Sequence, residues 1–169
     1  MKQIIKFLAI AVVILAFSGA AHAQTVTASS TAAAMIVAPL TINNTVGLHF
    51  GTIMRGTALG DVTVETDGDR TSSGGVTLST IAPVHTVAQF TIQGEAGRAY
   101  TITLPAADIT ITGAGDPMTV GTFLSDPAAG TYVPVGTSTT LSVGATLDVA
   151  ANQAAGPYTG TFSVSVNYN

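Results

Sequence analysis

The residues able to do chemistry are few. Beyond residue 23 the chain has two histidines, His49 and His85. His49 alternates outward between Leu48 and Phe50, and His85 follows Pro83-Val84 in a predicted loop. Neither has a carboxylate or a second histidine at the short spacing of a metal site. Four carboxylates, Asp61, Glu65, Asp67 and Asp69, crowd one stretch. Asp67-Gly68-Asp69 offers oxygen ligands of the kind calcium takes, but the spacing is not that of an EF-hand loop. Arg70 sits beside it, and the pattern reads as a solvated hairpin turn. There is no Gly-x-Ser-x-Gly nucleophile elbow and no phosphate-cradling glycine loop. Tyr158 and Tyr168 could form a sugar-stacking platform, yet both share the apolar parity of Phe162 and so read as core or groove lining. The side chains therefore predict no enzyme, no metal and no cofactor.

The element that places these tyrosines is the last stretch, residues 156–169. Tyr158, Gly160, Phe162, Val164, Val166 and Tyr168 fall on one face, and Thr159, Thr161, Ser163, Ser165 and Asn167 on the other. Strand side chains alternate between faces, so one side of this predicted strand is dry and the other wet. Such a strand must complete a sheet, because an unpaired one is an aggregation site.

Met1 to Ala23 reads as a secretory signal peptide: Lys2 and Lys6 at the start, an apolar run over 7–17, and Ala21-His22-Ala23 as the cleavage site. An uncleaved anchor is the alternative, but the run is short for a spanning helix. Cleavage removes both lysines and takes the formal charge from −4 to −6. Arg55, Arg70 and Arg98 are then the only strong bases, which argues against nucleic acid or anionic lipid as partners. The absence of cysteine leaves no disulfides. Charged residues make up 8% of the chain against a usual figure of about 25%, while hydrophobic residues reach 47%. The composition is that of a folded domain whose wet surface is threonine and serine, and the 146 residues left after the first 23 suit one domain.

Residues 24–34 alternate weakly: Val26, Ala28, Ala32 and Ala34, with Ile36 beyond, share one parity. They read either as a strand with a small-residue face or as an N-terminal tail. Short alternating segments follow around Leu48–Phe50, at 61–65, from Val76, at 88–93 and 100–104, at 108–112, around Met118, Val120 and Phe123, and at 141–149. Residues 66–75 read as a turn, and 94–97 as the turn of a hairpin joining 88–93 to 100–104. No helical period is sustained. Short strands with regular turn signals predict an all-β, antiparallel β-sandwich over 39–169, preceded by an extension at 24–38. A transmembrane barrel needs longer strands and aromatic girdles than are present.

The terminal stretch resembles the closing motif of chaperone–usher pilins, with penultimate Tyr168, Gly156 fourteenth from the end, and Phe162, Val164 and Val166 alternating between them. More broadly the chain resembles a domain-of-unknown-function family of small secreted Gram-negative bacterial β proteins akin to those pilins and to spore-coat-like fimbrial proteins. The resemblance lies in Leu48-x-Phe50-Gly51, Tyr100-Thr101-Ile102-Thr103-Leu104-Pro105, Val143-Gly144-Ala145-Thr146-Leu147 and the segment from Gly156 to Phe162. It implies an immunoglobulin-like or pilin-like antiparallel β-sandwich that is incomplete, with a groove that takes a neighbour's N-terminal strand. Tyr158, Phe162, Val164, Val166 and Tyr168 would line the groove, and Val26, Ala28, Ala32, Ala34 and Ile36 would belong to the donor. It further implies head-to-tail self-association, a periplasmic chaperone, an outer-membrane usher, and passage through the periplasm to the cell surface. The alternative is a self-contained secreted module that binds glycans or acts as a surface adhesin.

Overall fold

A computed structural model describes residues 24–169. The expected signal peptide at 1–23, with His22, lies outside the described residues. The chain divides into two compact units, one ending at Met35 and the other comprising Ile36–Asn169. Residues 24–35 of the first are exposed and carry no strand.

Among the described residues there are fifteen strands and no helix. In chain order they are β1 (Thr41–Val46), β2 (His49–Phe50), β3 (Ile53–Met54), β4 (Gly60–Val64), β5 (Arg70–Gly74), β6 (Thr77–Leu78), β7 (His85–Thr86) and β8 (Ala88–Gln93). Then come β9 (Tyr100–Thr103), β10 (Ile109–Gly113), β11 (Met118–Asp126), β12 (Gly130–Tyr132), β13 (Ser138–Val149), β14 (Tyr158–Thr159) and β15 (Ser165–Tyr168). Every ladder is antiparallel.

β13 organises the larger sheet. Leu141, Val143, Ala145, Leu147 and Val149 bury one parity, as their alternation predicts. On one edge its first half pairs with β8, from Ser138 opposite Gln93 to Val143 opposite Ala88. Its second half pairs with β4, from Ala145 opposite Val64 to Val149 opposite Gly60. Gly144 stands between the two ladders, where a Cβ would lie 2.2 Å from the Val64 carbonyl oxygen. β11 covers the other edge. One edge feeding two partners makes the sheet curl into a half-barrel. β1 extends it beyond β8, β5 beyond β4, and β10 and β14 beyond β11. β12, β9 and β15 form a second sheet, and β2–β7 and β3–β6 are two short ladders.

Two apolar clusters fill the interior. Val62, Val120 and Leu147 centre the first; Phe90, Ile92, Tyr100, Ile102, Leu141 and Val143 form most of the second. Phe123 packs against both. Its three-residue step from Val120, after the two-residue step from Met118, marks a β-bulge. The register of β11 on β13 shifts between Gly121 and Leu124, and Thr122 has φ 49°. Each fully buried large side chain contributes roughly 1.5–3 kcal/mol.

Four sequence expectations are corrected. The segments 88–93 and 100–104 are strands, but not a hairpin: β8 already has β1 and β13 on its two edges, so β9 joins the other sheet. Phe90 and Ile92 then belong with Tyr100 and Ile102 to one buried cluster. The turn expected at 66–75 is shorter, since β5 pairs back on β4 from Arg70 to Gly74. His85 is in a strand, opposite Phe50. The terminal strand is broken: β14 pairs with β10, β15 pairs with β9, and residues 160–164 between them join no ladder among the described residues. The break lies where the segment passes from the first sheet to the second.

Candidate functional site

The terminal segment keeps its two faces across the break. Tyr158, Phe162, Val164, Val166 and Tyr168 are half-buried, while Thr159, Thr161, Ser163, Ser165 and Asn167 are exposed. The parity survives the break, with burial alternating residue by residue from Thr161 through to Tyr168. Gly160 falls on the apolar parity but is exposed; a Cβ there would lie 2.7 Å from the Thr110 carbonyl oxygen. Gly156, with φ 146°, lies outside any strand in the turn before β14.

Among the described residues β15 pairs only with β9, and β1 pairs only with β8. β1 approaches β15 without a ladder between them. Two strand edges from different sheets thus border one seam. Leu40 and Ile42 on the β1 side, and Phe162, Val164 and Val166 on the other, all pack partly buried against the second cluster. The Phe162 ring anchors the wall, 6.2 Å from the Phe90 ring at 73° and 5.1 Å from the Phe123 ring at 39°, centroid to centroid. Such tilted pairs add about 0.5–1.5 kcal/mol beyond burial. The seam therefore offers unpaired backbone above half-covered apolar side chains, the chemistry that an added strand satisfies.

Tyr168 closes one end. Its hydroxyl accepts the Glu95 N–H at 2.7 Å and donates to the Ala38 carbonyl at 3.1 Å. The Ala38 N–H donates to the Glu95 carboxylate at 3.1 Å. The Arg98 guanidinium lies 5.8 Å from the Tyr168 ring centroid, within cation–π range. Tyr158 fastens the other end, donating to the Ala154 carbonyl at 2.9 Å and accepting from the Gln153 side-chain amide at 2.9 Å. Both tyrosines thus use their hydroxyls within the fold. Of the expected donor residues, Val26, Ala28, Ala32, Ala34 and Ile36 are exposed and outside any strand. Leu40, Ile42 and Glu95 went unread as parts of this site. The Leu40-x-Ile42 alternation just after Pro39 was the available signal.

The other chemical candidates have local structural partners. His49 Nδ1 accepts the Gly51 N–H at 2.8 Å, and His85 Nε2 is 3.1 Å from the Gly68 carbonyl. Asp67 accepts the Asp69 N–H at 3.0 Å and closes the β4–β5 turn. Arg70 donates to the carbonyls of Phe50 at 2.8 Å, Thr52 at 3.4 Å and Ser79 at 2.7 Å. Among the described residues no group of three or more His, Cys, Asp or Glu is placed to hold a metal ion. Asp148 lies opposite Asp61 in the β13–β4 ladder. Partial burial, then the charges of Asp61 and Asp108, push its carboxyl above the usual range. Burial, more than any other influence, raises the Tyr100 phenol.

No helix among the described residues is long and apolar enough to cross a membrane. No curated protein and no solved structure matches the chain. A family model, the domain of unknown function DUF4402, matches residues 40–168, from the first wall residue of the seam to the tyrosine that closes it, and the chain belongs to that family.

Proposed function

We propose that this protein is a secreted structural subunit of a pilus- or fimbria-like surface assembly that polymerises by donor-strand complementation. The observation that carries the reading is the seam between β1 and the terminal segment, with its free edges and its half-buried row of Leu40, Ile42, Phe162, Val164 and Val166. Residues 24–36 supply a donor of suitable character: exposed, outside any strand and alternating in sequence. An immunoglobulin-like sandwich agrees with the β8-to-β9 crossing between sheets. It agrees also with the Tyr158 hydroxyl bonding the carbonyl four residues upstream, as in the tyrosine corner of that fold. Chaperone and usher belong to the same reading, holding the seam closed during transit.

The mature chain, expressed in a periplasm with its chaperone and usher and run unboiled on a denaturing gel, gives a heat-sensitive ladder. Deleting residues 24–34 abolishes the ladder and leaves monomer. Polymers that survive the deletion would sink the proposed donor.

A further inference from the structure

Of the apolar side chains that the folded unit exposes, which include Ile81, Val84 and Leu124, two groups lie at opposite ends of β13. β13 is twelve residues long and so spans up to about 37 Å at a rise of roughly 3.4 Å per residue. The loop leading into its first residue carries Val133 and Val135, which are 56% and 98% exposed. That loop is tied to the 94–97 turn, with the Gly97 N–H donating to the Pro134 carbonyl at 2.8 Å and the Gly94 N–H to the Thr137 carbonyl at 3.0 Å. At the other end of β13, Val149 pairs with Gly60. Close by are Leu59 and Met54, 71% and 50% exposed. The Asn152 N–H donates to the Gly56 carbonyl at 3.0 Å, and Arg55 to the Asn152 carbonyl at 3.2 Å, holding this loop against the strand's exit. A lone exposed valine needs no explanation. Paired apolar side chains at opposite ends of one strand are what a head-to-tail contact between copies requires, since such a contact does not close on itself.

The root of the extension names the occupant. Ala38 is bonded to Glu95 and Tyr168, at the 94–97 turn and therefore at the Val133 end. A copy that places its extension in a neighbour's seam brings its own Val133 end along. The terminal segment runs from Tyr158, bonded to Gln153 at the Leu59 end, to Tyr168 at the Val133 end. A strand entering antiparallel to it has its root at the Leu59 end. We infer that Val133 and Val135 of one copy dock on Met54 and Leu59 of the next, a second contact that locks adjacent subunits end to end. This rests on the donor-strand reading above.

Three variants of the full mature chain test it: Val133→Ser with Val135→Ser, Met54→Ser with Leu59→Ser, and all four together. Each pair cuts the rate of ladder formation about tenfold, as loss of a central apolar contact does. The quadruple variant is no worse than either pair, because each pair alone removes the shared contact. Two ends this far apart within one chain have no other reason to couple. The melting midpoint of the monomer stays at the unsubstituted value, which separates assembly from folding. Unchanged ladder formation, or effects of the two pairs that simply add, overturns the end contact and leaves the donor-strand reading standing. A wild-type chain that forms no ladder with chaperone and usher present overturns both.

Discussion

Arg70 shows what a single residue does when a fold has few charges to place. Its guanidinium holds three carbonyls from three different loops or strands, and a planar fork suits that task better than an ammonium point charge. Its Nε is buried with no hydrogen-bond partner among the described residues. Arg70→Lys should therefore cost roughly 1–3 kcal/mol in a urea melt, the scale of losing hydrogen bonds to a charged donor. Asp148 makes the opposite case. Its carboxyl is raised, so its neutral form favours the folded state at low pH, and that contribution fades as pH rises through the carboxylate range towards neutrality. Asp148→Asn should stabilise the protein at pH 7 and make no difference near pH 3. The gain will be at most about 1 kcal/mol, since the side chain is exposed and screened by water. Thermal melts of both proteins across that range decide it. The Asp61 and Asp148 spacing was readable in the sequence; their facing each other was not, because cross-strand register joins residues far apart in the chain.

Among elements, the terminal segment is where the alternation pattern carried furthest and then stopped. It correctly sorted Phe162, Val164, Val166 and Tyr168 from Thr161, Ser163, Ser165 and Asn167. It could not show that residues 160–164 lack a ladder, because side-chain parity records which face is dry and nothing about the edge. Hydrogen exchange reads the edge directly. Amides in 161–164 should exchange fast in the monomer and, on the donor-strand proposal, become strongly protected in the assembled form, with little change in β13, which already has partners on both edges. Phe162→Ala should destabilise the monomer by about 2–3 kcal/mol, below the usual 3–5 for a fully buried phenylalanine, because this ring is half-buried. Equilibrium unfolding measures that difference.

At the scale of the whole molecule, the proposed assembly would depend on how well the extension fills the seam. Its apolar parity is mostly alanine, so each anchor buries little area. Ala28→Val or Ala32→Val should raise the temperature at which the ladder collapses to monomer; a lower collapse temperature for both would remove them from the donor. The sequence by itself determined that the protein is all-β, that its charge is sparse and acidic, and which face is dry in the strands with clear alternation, such as β4, β8, β9 and β13. Those are properties of composition and of a two-residue period, and they need only near neighbours. Tertiary structure alone decided that β8 and β9 occupy different sheets, that β13 serves two partners on one edge, and that β1 and β15 face each other unpaired. These depend on which edges earlier pairings leave free, a long-range competition for hydrogen bonds that no local pattern encodes.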